Sequence, residues 1–303
     1  MIRKTTRRAA KRALDASFPV WERLGLHVRP VHYYEPIPDT RQLGPDTWTR
    51  LSEMVGVDLR PDEQLALLHD LAGRFRSEYD ALPRQATGQS VDYHIDNGSF
   101  ESVDGEMLYS MVRHLRPGRM IEIGSGFSTL LAAKALLKNE AEGAPPCDYV
   151  ACDPYAGDTI RRGAPGLTRL IASPVQEVPT EAFETLGEND ILFIDSTHVL
   201  RIGSDVQYEF LEVLPRLRPG VYVHIHDIFM PAEYPEAWVR REHRFWTEQY
   251  LLQAFLCYNG AFEVIWAGSY MHLKHPDELA AAFASYGPGR HPGSFWIRRR
   301  DLR

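Results

Sequence analysis

From about residue 119 the chain alternates short apolar runs with helical stretches, and this alternation restricts the fold more than any other feature. The runs "MIEIG" (120–124), "DYVACD" (148–153), "DILFID" (190–195) and "GVYVHIHDI" (220–228) read as strands. Between them lie "STLLAAKALLKNEA", rich in Ala and Leu, and "SDVQYEFLEVLPRL", helical up to its Pro-punctuated end. Strands apolar throughout are covered on both faces, and helical crossovers between them make the strands parallel. The expectation is an α/β chain with a mostly parallel sheet. "WTEQYLLQAFLCYN" adds a helix, and "AFEVIWAG" and "SFWIRRR" predict an antiparallel pair across a loop holding Gly287, Pro288 and Gly289. Between Asp153 and Asp190 the pattern is irregular, and its helix and strand are weakly marked.

Residues 1–100 are polar and Pro-punctuated, with one helical pattern from about Pro61 to Tyr79, where Leu65, Leu67, Leu68, Leu71 and Phe75 recur at turn spacing. They predict an N-terminal helical extension, residues 1–100, ahead of a domain spanning 101–303. "VDGEMLYSMVRHLRPGR" then reads as an amphipathic helix ended by Pro117-Gly118. The net charge of −7 argues against a polyanion binder, so no nucleic acid partner is expected; the basic start "MIRKTTRRAAKR" reads as a solvated helix face. Cys147, Cys152 and Cys257 form no C-x-x-C pair, which suits a reducing cytoplasm. No apolar run is long enough for a membrane span, and no signal-peptide segment follows the basic start. The oligomeric state is not encoded legibly, and a homo-oligomer is compatible with the sequence.

Glu122–Thr129, "EIGSGFST", is a glycine loop between a strand and a helix, where glycines let backbone approach a ligand and the first helical N–H groups point at it. The spacing G-x-G-x-x-T (Gly124, Gly126, Thr129) departs from the dinucleotide fingerprint, whose third position is small, and argues against NAD. Asp153 ends the next strand, where an acid accepts hydrogen bonds from ribose hydroxyls; alone it would be an ordinary turn residue before Pro154. Glu122-x-Gly124-x-Gly126, then Asp153, then the "FID" strand end at Asp195, resembles the class I S-adenosylmethionine-dependent methyltransferases. The resemblance runs from roughly residue 100 to the C-terminus. It implies a Rossmann-like, doubly wound, seven-stranded sheet with an antiparallel last strand, and S-adenosylmethionine as cofactor. It further implies that Glu122, Gly124, Ser125, Gly126 and Ser128 surround the methionine and ribose, that Asp153 holds the ribose hydroxyls, and that Gln176 lies near adenine.

Asp195 and Asp227 both end strands, and in an open parallel sheet the strand C-termini collect at one edge, where ligands bind. Converging carboxylates and imidazoles there make a divalent metal site. The pattern resembles the metal-dependent small-molecule O-methyltransferases, including catechol, macrolide-sugar and cephalosporin-hydroxylase-like types, in which such acids hold magnesium. It implies Asp195, His226 and Asp227 as metal ligands. His226 stands where a second carboxylate is common, which shifts preference toward manganese, iron or zinc. His198, just past a strand end, is the expected general base, with an ordinary pKa near working pH. His224, on an inward strand face, reads as a hydrogen-bonded core residue. Ser204 or Asp205 reads as a helix cap, and Glu248 and Tyr250 as secondary pocket candidates. The expected activity is methyl transfer to a small hydroxylated acceptor, a sugar or natural-product phenol, whose pocket residues 1–100 help to shape. A non-haem iron oxygenase using His and Asp ligands, or a non-catalytic nucleoside-binding module, are the alternatives.

Overall fold

The computed structural model describes residues 2–301, which form two compact units. One comprises the residues up to Thr49 together with Pro235–Phe245; the other comprises Arg50–Tyr234 and the residues from Trp246 onward. The units therefore divide after Thr49 and not at residue 100. In the smaller unit, the Arg240 guanidinium donates to the carbonyls of Thr40 (3.1 Å) and Leu43 and lies 5.8 Å from the Trp48 ring centre. Arg29 closes a separate loop by pairing with Asp15 (2.7 Å) and Glu35 (2.8 Å).

The larger unit is built on a sheet that has seven strands among the described residues. They are β1 (Arg119–Ile123), β2 (Asp148–Cys152), β3 (Arg169–Ile171), β4 (Ile191–Ile194), β5 (Tyr222–Ile225), β6 (Phe262–Ala267) and β7 (Phe295–Arg299), in the order β3-β2-β1-β4-β5-β7-β6. β1 to β5 are parallel, whereas β7 runs antiparallel to both β5 and β6. This is the Rossmann-like, doubly wound arrangement with one reversed strand. The strand order turns back between β1 and β4, so their C-terminal ends open a crevice there. The two last strands pair as expected, but helices Gly268–Lys274 and Pro276–Ala282 occupy the connection where a loop was predicted.

Alternation along each strand divides the core into two layers. On β4, Ile191 and Phe193 face the layer that holds Leu68, Leu71 and Phe75 of the Pro61–Tyr79 helix and Met107, Leu108 and Met111 of the Asp104–Leu115 helix. Leu192 and Ile194 face the other layer, with Val206, Phe210, Leu252 and Leu256. All four β4 residues are buried, so an uninterrupted apolar run suits this strand. The Pro61–Tyr79 helix is thus part of the main core. Its Glu78 carboxylate accepts from the buried Arg113 guanidinium (2.8 Å) and from the Tyr109 hydroxyl (2.8 Å), tying the first helix layer together. No helix among the described residues is long and apolar enough to cross a membrane.

Phe193 has no solvent exposure, and its ring stacks on His224 at 4.1 Å. Phe193→Ala should lower stability by about 3–5 kcal/mol, the usual cost of emptying an aromatic core site. The drop in the urea-unfolding midpoint checks this, and an unchanged midpoint would contradict the packing described.

Candidate active site

Gly124 closes β1 with φ +92°, and a Cβ there would sit 2.1 Å from the Asp195 carbonyl oxygen. Only glycine permits both the left-handed backbone and this approach. The contact brings the β1 loop directly against the end of β4. The next loop residue, Ser125, donates through Oγ to Asp153 Oδ2 (2.6 Å), while Asp153 Oδ1 accepts from the Tyr155 amide (2.7 Å). Thr129 Oγ1 accepts from the Gly126 amide (2.9 Å) and so fixes the start of the Phe127–Ala141 helix.

These loops line a cavity of about 380 Å³, together with Gln176, Asp195, Thr197, Arg201 and Asp205. The volume falls in the range of small-ligand pockets. Gly124, Ser125, Asp153, Gln176 and Asp195, all expected from the sequence, share this lining. Gln176 also donates to the Gly203 carbonyl (3.0 Å). Glu122 and Ser128, expected around the ligand, lie behind the loop instead. Glu122 is fully buried and accepts from Ser128 Oγ (2.6 Å) and the Tyr149 hydroxyl (2.5 Å). Burial raises its pKa to about 7, opposed by those two donors. The sequence pattern could not reveal this orientation, because Tyr149 comes from the neighbouring strand. Gly126 is likewise outside the lining and serves the loop–helix turn.

Beyond the cavity, Asp195 Oδ1 lies 3.3 Å from His198 Nε2 and 3.4 Å from His226 Nδ1, and Asp227 Oδ2 lies 3.6 Å from His198 Nε2. Each imidazole is backed by another acid. His198 Nδ1 is 2.8 Å from Glu248 Oε2, and His226 Nε2 is 3.5 Å from Asp104 Oδ2. Asp104 also accepts from the Gly293 and Ser294 amides (2.8 and 2.9 Å). His198 (φ +60°) and Asp227 (φ +56°) both hold the left-handed backbone region that non-glycine residues rarely occupy.

Burial alone would lower the His198 pKa, but hydrogen bonds to Asp195 and Glu248 raise it to about 10. His226 is likewise held well above its ordinary value by Asp227, Asp195 and Asp104, against burial. Burial would raise Asp195, yet the two imidazoles hold it well below the usual carboxylate range. Asp227 is pushed up by burial in spite of them.

Asp195, His198 and Asp227 form a group, found among the described residues, in which each offers a ligand atom within 4.8 Å of the others. The two carboxylates offer hard oxygen ligands that fit a divalent ion, with the His198 imidazole beside them. His226 Nδ1 also faces both acids, 3.4 Å from Asp195 Oδ1 and 3.8 Å from Asp227 Oδ2, so the expected set of Asp195, His226 and Asp227 lies in the same cluster, with His198 beside it. His226 lies on the strand face turned toward the Asp104–Leu115 helix, where Asp104 engages its Nε2. His224 shares that face, where its Nε2 lies 2.8 Å from Ser294 Oγ, and burial lowers its pKa well below the usual value. It is the core histidine the alternation suggested. Ser204 caps the Asp205–Tyr208 helix by accepting from the Gln207 amide, and Asp205 instead holds the Thr197 amide and hydroxyl. The sequence reading passed over Asp104, which looks like an ordinary first-turn acid, and Trp246, whose ring lies 4.4 Å from that of His198.

A family described as a methyltransferase domain matches residues 121–228. An uncharacterised protein of Archaeoglobus fulgidus is 33% identical over 169 residues, spanning 54% of this chain and 75% of that protein. Among solved structures, the O-methyltransferase TomG from Streptomyces achromogenes in complex with SAM is 15% identical, with a TM-score of 0.41 over 77% of this chain and 89% of that one. The SAH-bound Podospora anserina methyltransferase PaMTH1 is 17% identical, with a TM-score of 0.40 over 81% and 91% of the two chains.

A histidine whose folded pKa is raised from 6.5 to about 10 contributes stability that is fully present below pH 6.5 and lost as pH rises through 10. In metal-free protein, the stability difference between the native chain and His198→Gln should therefore shrink between pH 6.5 and 10. Urea unfolding of both proteins across that window measures it; a constant difference would rule out the charged pairing of His198.

Proposed function

We propose that the chain is a class I S-adenosylmethionine-dependent methyltransferase that methylates an oxygen of a small hydroxylated acceptor, with His198 as general base; the methyltransferase-domain match over residues 121–228 supports the family reading. The observation that carries this reading is the position of Asp195. It lines the cavity of the glycine loop and Asp153, and it also touches the His198 ring. Donor nucleoside and proton acceptor can thus meet at one strand end.

The sulfonium donor is already activated, so the protein has to align the acceptor and remove a proton. Asp153 receives the ribose hydroxyls, with Ser125 steadying its carboxylate. The acceptor O–H gives its proton to His198 Nε2, and an oxygen lone pair forms the new bond to the methyl carbon. The carbon–sulfur bond breaks with its electron pair going to sulfur, which leaves S-adenosylhomocysteine. A divalent cation held by Asp195 and Asp227 would supply the positive charge that the His198 proton supplies without it, and would acidify the acceptor hydroxyl. His226, between Asp195 and Asp104, fixes the Asp195 carboxylate. The Phe100 ring lies 4.9 Å from that of His226, which supports giving part of the acceptor wall to the end of the N-terminal hundred residues. The oxygenase alternative loses His224, which is engaged by Ser294 in the core.

Calorimetry with S-adenosylhomocysteine should show binding that falls about 10- to 100-fold in Asp153→Ala, as expected for hydrogen bonds to a charged group. Indifference of the protein to this nucleoside would end the reading. Screening hydroxylated small molecules for S-adenosylhomocysteine release identifies the acceptor. With it, His198→Ala should lower kcat by about 10²- to 10⁴-fold while nucleoside affinity stays the same. Exhaustive chelation should slow the same reaction, with recovery on adding magnesium or manganese; full speed in chelator would remove the metal from the scheme.

A further inference from the structure

The loop after β4 is held residue by residue by acids from two other segments. Ser196 Oγ donates to Glu209 Oε2 (3.1 Å), and Thr197 gives both its amide (3.0 Å) and its hydroxyl (2.7 Å) to Asp205. His198 is gripped twice by the start of the Glu248–Leu256 helix. Its carbonyl accepts from the Thr247 (2.9 Å) and Glu248 (3.2 Å) amides, and its Nδ1 faces Glu248 Oε2 at 2.8 Å. Thr247 Oγ1 then accepts from the Leu200 amide (2.8 Å), so the same turn also fixes the chain beyond His198.

Glu248 has no solvent exposure, and its Oε1 has no hydrogen-bond partner. An internal carboxylate with one oxygen unsatisfied is costly, and a purely structural position would be served better by an apolar side chain. Its side-chain hydrogen-bond partner is the His198 imidazole. With Nδ1 2.8 Å from Glu248 Oε2, a carboxylate there accepts the Nδ1–H, and Nε2 is the nitrogen presented to Asp195, Asp227 and the proposed reaction.

We propose that Glu248 is a positioning residue for His198, holding the ring and its Nδ1–H tautomer so that Nε2 faces the methyl acceptor. The proposal rests on the reading of His198 as base. It assigns the task to a residue on a helix that follows β4 by some fifty positions, and it predicts that the two side chains act as one unit.

The test uses the full-length protein saturated with S-adenosylhomocysteine. In histidine-labelled protein, NMR should show a downfield Nδ1–H signal from His198, assigned by its absence in His198→Ala. Glu248→Ala should lose it, and Glu248→Gln, whose amide oxygen still accepts, should keep it at a more upfield position, because a charge-assisted bond has become a neutral one. An unmoved signal in Glu248→Gln overturns the proposal even if Glu248→Ala fails to fold. In turnover, Glu248→Ala should lower kcat about 10- to 100-fold with little change in KM for S-adenosylmethionine. The double variant should be no slower than His198→Ala alone, whereas additive losses would show that Glu248 does not act through His198. Full activity of His198→Ala would sink the base reading, while the Nδ1–H signal would still decide whether Glu248 holds the ring.

Discussion

Where β1 and β4 run side by side, the backbone of Gly124 comes so near the Asp195 carbonyl that no side chain fits between them. Everything at the site depends on this approach. The Asp195 amide donates to the Ile123 carbonyl (2.9 Å), and the Gly124 amide to the Cys152 carbonyl (3.0 Å), so hydrogen bonding continues to the ends of three adjacent strands. Main-chain bonds thereby tie Gly124 and Asp195 to one edge, where the Asp153 amide in turn donates to the Ile171 carbonyl (3.0 Å).

The electrostatics of the cluster follow from what the strand ends bring together. Asp104, Asp195, Asp227 and Glu248 surround His198 and His226, so carboxylates outnumber the imidazoles in a cluster where both rings are buried and Asp195 reaches the cavity. Burial raises the pKa of Asp227 and Glu248, while the surrounding acids raise that of both imidazoles. Such a site is complementary to cations. Both proposed ligands, a sulfonium nucleoside and a divalent ion, are positively charged where they would meet it, and the demethylated nucleoside has lost the sulfonium charge. The same sign that favours the donor therefore disfavours retention of the product.

Much of the frame was legible because it depends on local pattern. Apolar runs gave the strands, the Gly-x-Gly loop gave the turn between β1 and its helix, and Asp153, Asp195 and Asp227 fell at strand ends where a parallel sheet collects them. What stayed hidden was the direction of side chains whose partners lie far along the chain. Glu122 looks like a ligand-facing acid in "EIGSG", yet Tyr149 and Ser128 draw it inward. His226 looks like the natural partner of Asp227, and its Nδ1 does face that acid, but its Nε2 also meets Asp104 on a helix more than a hundred residues earlier, which nothing in the local pattern signals. The helices at 268–282 were missed because their seven-residue spans carry too little periodicity to separate from a loop.

The left-handed backbone at His198 and Asp227 shows how the hidden contacts and the legible frame combine. Each such residue costs on the order of 1–2 kcal/mol, and it persists only where the surroundings over-determine it. At Asp227 the restraint is close packing: a Cβ on Gly293 would lie 3.0 Å from the Asp227 Cα, and the Ile228 amide donates to the Gly293 carbonyl (2.9 Å). At His198 the restraint is the double grip from Thr247 and Glu248. Both turns bend the chain immediately after a strand, which returns the His198 ring over Asp195 and sets Asp227 beside it. A regular extended exit would carry these side chains away from the edge. The strain is thus the conformational cost of gathering two carboxylates and an imidazole at one point, and the glycine and the buried acid are the elements that offset it.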